Sequence, residues 1–214
     1  MTLFLDSASI DDARQAAALG FVAGITTNPT LLGRVAENGL ADTPKIIAAI
    51  CDVFPGKVMV QLTGETVEDR LEEALNVLAI RPGQVGLKIP TVPDNFALAR
   101  RFSSEGYTVG MTTIFSPEQV YLACEAGADI VFPYVNRSTR LLGDGLALVR
   151  QMRAVVDALH APVQILAASI KSPQEALNTI LAGAHGLTLP LNIMLQMGAH
   201  PLSEQSIAEF AEVK

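Results

Sequence analysis

Residues 85–111 read VGLKIPTVPDNFALARRFSSEGYTVGM, and they hold the pattern that decides the fold. A short aliphatic run, Val85 to Ile89, is followed by a longer segment with helical apolar spacing, Phe96 to Ser104, and by a second short run, Thr108 to Met111. Short β-rich runs that alternate with helical segments are typical of βαβ units and of a parallel sheet. This stretch therefore predicts a strand, a helix and a second, parallel strand.

The same alternation extends to both ends of the chain. Strands are predicted at Leu3 to Leu5, Val22 to Ile25, Val58 to Gln61, Val85 to Ile89, Thr108 to Met111, Ile130 to Phe132, Val163 to Leu166 and Gly186 to Thr188. Helices are predicted at Ile10 to Ala18, Pro44 to Val53, Val67 to Ala79, Phe96 to Ser104, Pro117 to Ala126, Gly145 to Leu159, Pro173 to Leu181 and Leu191 to Met197. Because each strand is followed by a helix, the pattern predicts an α/β protein, a (β/α)₈ TIM barrel that spans residues 1–214 as a single domain. An open doubly wound sheet is the alternative, but no GxGxxG motif follows the first strand.

The boundaries of several helices have local support. Ser7 precedes the first helix, and Thr43-Pro44, Ser116-Pro117 and Ser172-Pro173 each pair a hydroxyl cap with proline at the first helical position. An amphipathic segment beyond the eighth unit, Ser203 to Val213, predicts an extra C-terminal helix. That helix is expected to cover the barrel or to pack on a neighbouring subunit.

Composition and charge argue against several classes of function. Half of the residues are hydrophobic and 17% are charged, so the chain can bury a large core without disulfides or a structural metal. The formal net charge of −7 and the absence of basic runs argue against nucleic acid as a partner. No stretch is long and apolar enough for a membrane span, and a cytoplasmic location is expected. Cys51 and Cys124 lack zinc-ligand spacing, so no metal site is predicted.

Polar residues stand where the predicted strands end, and in a barrel these ends meet at the face that carries the chemistry. They are Asp6, Thr26, Thr27, Asn28, Gln61, Lys88, Thr112, Thr113, Tyr134, Asn136, Arg137, Ser169, Lys171 and Thr188. Any one of them could be an ordinary turn former. Together they predict a polar site at the C-terminal end of the barrel.

Lys88 is the most informative of these residues, because VGLKIP places a lysine in an apolar strand of a kind that is buried on both faces. Burial disfavours the ammonium, so the pKa of Lys88 is expected to fall from about 10.4 toward about 7–8, where a neutral amine attacks carbonyls. The alternatives are a lysine that reaches the barrel rim and one that is held in a buried ion pair. Lys171 is the competing lysine, but it stands in a loop before a capped helix and should be less desolvated.

The other polar residues supply what a Schiff-base reaction needs. Asp6 can move protons or position the lysine electrostatically, unless it only caps the first helix. Gln61 and Tyr134 are neutral and can hold a water that carries a proton, although Gln61 could instead satisfy backbone groups. Arg137 is the best anion ligand, because a guanidinium grips phosphate with paired donors, and Ser169 can add another donor. A surface salt bridge is the alternative role for Arg137.

Several segments resemble the small transaldolase family. They are LFLDSASI (residues 3–10), GITTNPTLL (24–32), GLKIP (86–90), TTIFSPEQ (112–119), PYVNR (133–137), LAASIKSP (166–173) and TLPLNI (188–193). The resemblance implies a (β/α)₈ barrel, Lys88 as the Schiff-base lysine, no cofactor, and a homo-oligomer, either a pentamer or a decamer, in which the C-terminal helix packs on an adjacent subunit. The expected catalytic residues are Lys88, Asp6, Gln61, Tyr134 and Thr112. The expected substrate-binding residues are Asn28, Thr26, Arg137 and Ser169.

Two positions distinguish the two activities of that family. By the resemblance, true transaldolases carry glutamate on the third strand and phenylalanine in the segment matching PYVNR, whereas the fructose-6-phosphate aldolase branch carries glutamine and tyrosine. Gln61 and Tyr134 favour the aldolase branch. Gly110, Thr113 and Phe132 depart from that branch, and the glycine is expected to leave extra space for a donor that is bulkier than, or different from, dihydroxyacetone.

The sequence therefore predicts a class I aldolase that cleaves and forms fructose 6-phosphate, with dihydroxyacetone and glyceraldehyde 3-phosphate or close analogues as the other reactants. The second hypothesis is a transaldolase of the pentose phosphate pathway that transfers a dihydroxyacetone unit between sugar phosphates. The third is a non-catalytic barrel that binds sugar phosphates, but such a barrel has no use for a buried Lys88.

Overall fold

The computed structural model describes residues 2–212, and within them eight strands form one closed parallel barrel. The strands are β1 (Leu3–Asp6), β2 (Gly24–Thr26), β3 (Lys57–Gln61), β4 (Val85–Pro90), β5 (Val109–Ile114), β6 (Ile130–Pro133), β7 (Gln164–Ala167) and β8 (Gly186–Leu189). Each strand pairs in parallel with the next, and β8 pairs with β1. The predicted (β/α)₈ barrel is confirmed, and the open sheet is excluded.

Helices follow the strands and pack around the barrel. In the described part of the chain they are α1 (Ile10–Leu19), α2 (Pro29–Val35), α3 (Thr43–Val53), α4 (Val67–Ile80), α5 (Asn95–Ser104), α6 (Pro117–Glu125), α7 (Val135–Leu142), α8 (Gly145–Leu159), α9 (Pro173–Leu181), α10 (Leu191–Met197) and α11 (Pro201–Glu212). The predicted extra C-terminal helix is α11, and its expected last residue, Val213, lies outside the described residues. The sequence patterns do not predict α2 and α7, because they indicate one helix for each βα unit, whereas α2 and α7 are extra helices that precede α3 and α8.

Two of the expected helix caps are wrong. The cap of α1 is Ser9, whose hydroxyl accepts from the amide of Asp12, whereas the Ser7 hydroxyl donates to the carboxylate of Asp12 at 2.6 Å. Thr43 is the first residue of α3 rather than its cap, because a 3₁₀ turn at Gly39–Asp42 runs directly into this helix. The side chains of Ser116 and Ser172 cap α6 and α9 as predicted.

The barrel interior contains an apolar layer in which large side chains fill the space beside glycines of neighbouring strands. Three such pairs are Phe4 with Gly24, Met59 with Gly86 and Phe132 with Gly110, where an added Cβ atom would lie 2.2, 2.7 and 2.4 Å from the larger side chain. The same interior cluster includes Ile130, Leu166 and Ala168. Because strand residues two apart face the same side, this layer lies directly below Asp6, Gln61, Lys88 and Tyr134.

No helix in residues 2–212 is long and apolar enough to cross a membrane. In the same residues, no group of three or more His, Cys, Asp or Glu side chains is arranged to hold a metal ion. Cys51 is buried, Cys124 is half-buried, and both are free thiols.

Candidate active site

A cavity of about 850 Å³ opens at the C-terminal end of the barrel, where the strand-end residues are predicted to meet. Of the nine predicted site residues, all of which the structure describes, seven line it: Asp6, Asn28, Gln61, Lys88, Tyr134, Arg137 and Ser169. The other two, Thr26 and Thr112, lie behind the wall and bond to residues that line it. A volume of this size suits a small ligand.

Lys88 lies inside the barrel and its side chain lines the cavity. The residue is only 2% exposed, and its Nζ donates to the main-chain oxygen of Thr27 at 3.2 Å. Burial, partly opposed by the charge of Asp6, lowers the pKa of Lys88 from 10.5 to about 8. Among the described residues, no carboxylate lies within salt-bridge distance of this amine. Lys88 therefore does not reach the barrel rim and is not held in a close ion pair.

Asp6 ends β1 beside the amine and is held by a chain of hydroxyl groups. Its carboxylate accepts from the Thr26 hydroxyl at 2.9 Å, and the Thr26 and Thr188 hydroxyl oxygens are 2.6 Å apart. Because Thr26 has one hydroxyl proton and gives it to Asp6, Thr188 donates to Thr26. Burial raises the pKa of Asp6, while the charge of Lys88 and the Thr26 hydrogen bond lower it. Thr26 thus orients Asp6 and does not reach the cavity wall.

Further polar groups of the site come from Gln61, Thr112 and Tyr134, and two of these residues, Gln61 and Tyr134, line the same cavity as Lys88. Gln61 is the register partner of Lys88 between β3 and β4. Its Oε1 is buried and has no hydrogen-bond partner within residues 2–212. The Thr112 hydroxyl donates to the Tyr134 hydroxyl at 3.3 Å. Buried polar atoms normally have hydrogen-bond partners. The buried Oε1 of Gln61 and the phenol of Tyr134 can therefore bind a water or a substrate hydroxyl.

The short helix α7 determines where Arg137 lies. Tyr134 immediately precedes this helix, whose start is tied to the end of β7 by a hydrogen bond from the Val135 amide to the Ala168 carbonyl. Arg137 lies within the first turn, and its Cζ is 4.8 Å from the centre of the Tyr134 ring, which is a cation–π contact. The guanidinium is therefore held at the cavity wall next to the phenol.

Asn28 and Arg34 lie on the opposite side of the cavity, and α2 positions both of them. Asn28 caps α2, since its Oδ1 accepts from the amide of Leu31 at 3.0 Å, and its NH₂ group can still donate into the cavity. Arg34 lines the cavity from the same helix, and sequence reasoning missed it. The overlooked signal is Asn28-Pro29, a cap residue followed by proline at the first helical position.

Comparison with known proteins identifies the family. The family model described as "Transaldolase/Fructose-6-phosphate aldolase" matches residues 3–214. The chain belongs to this family. It is therefore an enzyme of the transaldolase/aldolase class, for which sugar-phosphate substrates are fitting. The family description alone does not separate the two activities.

Relatives of the transaldolase/aldolase family match along almost the whole chain. A "probable transaldolase" of Maridesulfovibrio salexigens is 38% identical over 210 residues, which cover 98% of this chain and 96% of the relative. A "probable transaldolase" of Thermus thermophilus is 36% identical over 217 residues, covering 99% and 97%. A solved structure of mandelate oxidase with (S)-2-phenylpropionate has a TM-score of 0.62 at 14% identity, and the match covers 89% of this chain and 64% of that one. The latter likeness shows the barrel fold alone.

Lys171 also lines the cavity of this family member, but in an exposed position. Its amide donates to a Glu175 carboxylate oxygen at 2.7 Å, and the other oxygen accepts from the Asn136 side chain at 3.1 Å. Asn136 was expected among the converging residues, but it does not line the cavity. Glu175 takes up the main-chain amide of Lys171 and the side chain of Asn136, so the donors that face the cavity on this side are the side chains of Lys171, Arg137 and Ser169.

Strained backbone occurs at two residues of the cavity. Thr113 has a φ of 60° and Ser169 a φ of 62°, both in the left-handed region that favours glycine. Such conformations cost on the order of 1–3 kcal/mol each and concentrate at functional sites. At Thr113 the strain accompanies a register shift between Thr112 and Ile114, which brings the side chain of Thr113 to the cavity wall.

The extra space expected at Gly110 is absent. A Cβ atom at Gly110 would lie 2.4 Å from Cε2 of Phe132, whose buried ring already fills the site. The expectation of a roomier donor pocket is therefore wrong, because β6 supplies the side chain that β5 lacks.

Proposed function

We propose that the protein is a class I aldolase that reversibly cleaves fructose 6-phosphate, or a close analogue, into dihydroxyacetone and glyceraldehyde 3-phosphate. The observation that carries this proposal is Lys88, a buried lysine with a lowered pKa at the wall of a polar cavity. A barrel that only bound sugar phosphates would have no reason to bear the cost of burying this amine. Gln61 and Tyr134 are the pair of residues expected in the aldolase branch, and they therefore support the aldolase over the transaldolase.

In the proposed reaction the neutral amine of Lys88 attacks the C2 carbonyl of the substrate. The resulting carbinolamine loses water and becomes an iminium ion. With a pKa of about 8, roughly a quarter of the amine is neutral at pH 7.5. The Asp6 carboxylate favours the positive charge of the iminium, as an opposite charge nearby does. Lys88 thereby becomes the electron sink that the next step requires.

The carbon–carbon bond breaks when the C4 hydroxyl loses its proton and the C3–C4 electron pair moves toward the iminium nitrogen. Glyceraldehyde 3-phosphate leaves, and an enamine remains on Lys88. We assign the removal of the proton to a water held by Gln61, Thr112 and Tyr134. Gln61 offers a buried acceptor that has no partner among the described residues, and Tyr134 offers a phenol to which Thr112 donates. Protonation of the enamine at C3 and hydrolysis then release dihydroxyacetone and restore the amine.

The phosphate group is assigned to Arg137 and Ser169 at the cavity wall. A guanidinium binds phosphate with paired, charge-assisted hydrogen bonds, and the Ser169 hydroxyl lines the same side. Asn28, on the other side, is assigned to a substrate hydroxyl. This arrangement would place the phosphorylated half of the sugar toward the mouth and the keto half toward Lys88.

The proposal is tested by trapping the imine. Incubation with dihydroxyacetone and borohydride is expected to give one stable adduct per chain, mapped by peptide mass spectrometry to Lys88. Incubation with fructose 6-phosphate alone is expected to release free dihydroxyacetone. An unchanged protein mass, or an adduct on another lysine, would contradict the proposal.

Transaldolase activity is the second candidate, and the names of the relatives favour it. The two activities separate when release of free dihydroxyacetone is compared with transfer of the same unit to erythrose 4-phosphate. Gln61→Glu is expected to raise the ratio of transfer to release about tenfold or more, because a carboxylate in place of the amide changes the proton transfers at the catalytic water. A wild-type enzyme that transfers but releases nothing would establish the transaldolase instead.

A homo-oligomer is proposed from the surface of α11. Leu202, Ile207 and Phe210 are 64%, 67% and 74% exposed on this helix, and large apolar side chains grouped on a surface mark contact sites. We expect sedimentation analysis to find a pentamer or a decamer and the Ile207→Glu/Phe210→Glu variant to form smaller species. A wild-type monomer at micromolar concentration would contradict this assignment.

A further inference from the structure

Inside the barrel, a side chain from β6 fills the space that a glycine on β5 leaves open beside Lys88. In the sheet register, Lys88 stands between Gln61 on β3 and Gly110 on β5. Gly110 contributes no side chain, so the space beside Lys88 on this flank would be open. The ring of Phe132, from β6, reaches across β5 into that space. Its centre is 5.4 Å from Nζ of Lys88, and the residue is 0% exposed.

We propose that Phe132 is a positioning residue for Lys88, whose ring takes the volume left by Gly110 and keeps water away from the barrel side of the amine. This inference rests on the proposed Schiff-base function, since only an amine that must be neutral needs an apolar surface that excludes water. Met59 packs in the same interior cluster as Phe132, and its Cε lies 3.3 Å from the position that a Cβ atom would take at Gly110. The cavity therefore supplies access from one side, while this apolar pair closes the other.

The ring has two opposing effects on the charge of the amine. A cation near an aromatic face is attracted to it, which favours the ammonium. Exclusion of water disfavours the ammonium, whereas the charge of the Asp6 carboxylate on β1 favours it, and burial is the larger of these two influences on the pKa of Lys88. Removal of the ring should therefore admit water and raise the pKa of Lys88, even though a cation–π contact is lost.

Phe4 provides a matched control for a purely structural role. Its ring packs over Gly24 as Phe132 packs over Gly110, and both phenylalanines belong to the same interior cluster. Phe4 comes from β1 and fills the space beside β2, whereas Lys88 stands on β4. Truncation of either ring should loosen the core by a similar amount, but only truncation of Phe132 should change the titration of Lys88.

The test measures imine formation with dihydroxyacetone at a fixed short time between pH 6 and pH 10, quenched with borohydride. The wild-type midpoint is expected near pH 8, as the pKa of Lys88 indicates. Phe132→Ala should move the midpoint upward by about one unit, so that at pH 7 imine forms about tenfold more slowly. Phe4→Ala should leave the midpoint unchanged. The double variant Phe132→Ala/Gly110→Leu should return it toward the wild-type value, because leucine restores the apolar volume.

Each outcome decides between specific possibilities. A wild-type enzyme that forms no adduct overturns the proposed function itself. Adducts in all variants, with the same midpoint in Phe132→Ala as in the wild type, overturn the inference and leave the function standing. Equal shifts in Phe4→Ala and Phe132→Ala also overturn it. If Phe132→Ala does not fold, Phe132→Val, which leaves a smaller void, must shift the midpoint in the same direction.

Discussion

Replacement of Lys88 by methionine is expected to lower the rate of aldol cleavage by on the order of 10⁴-fold or more, because removal of a covalent nucleophile has effects of this size. Methionine keeps much of the apolar volume of the lysine stem but has no amine. The measurement is the release of glyceraldehyde 3-phosphate from fructose 6-phosphate, together with borohydride trapping. The variant should form no adduct at any pH.

The same variant is expected to change how stability depends on pH. In the wild type the folded state disfavours the Lys88 ammonium, so this group destabilises the fold below pH 8 and ceases to do so above pH 10.5. Between those values the unfolded chain binds the proton more tightly, and stability rises with pH. From pH 7 to pH 10.5, the free energy of unfolding of the wild type should therefore gain about 3 kcal/mol relative to Lys88→Met. Parallel urea titrations of the two proteins measure this difference.

Lys171→Met is the matched control, since this lysine lines the same cavity but is exposed. It should keep the adduct at Lys88. An adduct that persists in Lys88→Met and disappears in Lys171→Met would move the Schiff base to the other lysine. A constant difference in stability between the wild type and Lys88→Met at all pH values would show that Lys88 is not desolvated.

Replacement of Tyr134 by phenylalanine is expected to lower kcat for release of free dihydroxyacetone by about 10²–10⁴-fold, the usual contribution of a proton-transfer group. The change removes one hydroxyl and keeps the ring, which contacts Phe115 edge-on and carries Arg137 on its face. Imine formation should continue, because Lys88 is untouched. Borohydride trapping and a steady-state assay of the same sample separate the two steps.

Tyr121→Phe is the control for Tyr134→Phe, because Tyr121 lies on α6 and is 46% exposed. It should leave both steps unchanged. The double variant Gln61→Glu/Tyr134→Phe should recover part of the lost rate as transfer to an acceptor aldehyde, since it restores the pair expected in a transaldolase. Unchanged release of dihydroxyacetone in Tyr134→Phe would remove the phenol from the mechanism.

Much of the candidate site could be predicted because strand ends in a barrel converge by topology. Once eight βα units are recognised, Asp6, Gln61, Lys88 and Tyr134 must face the same end of the molecule. The apolar neighbours of Lys88 in VGLKIP already indicate burial, and burial determines the direction of its pKa shift. These inferences need only local sequence and the rule that joins strands into a barrel.

The sequence by itself thus determined the (β/α)₈ barrel, the buried lysine and most of the polar residues around it, because periodicity and strand order are encoded locally. Only the tertiary structure decided the helices α2 and α7, the position of Arg34 and the absence of extra space at Gly110. These two helices are additions to their βα units, so the regular alternation of one helix after each strand does not indicate them. The volume at a glycine depends on which side chain of another strand fills it, and this partner, Phe132, comes from a different βα unit.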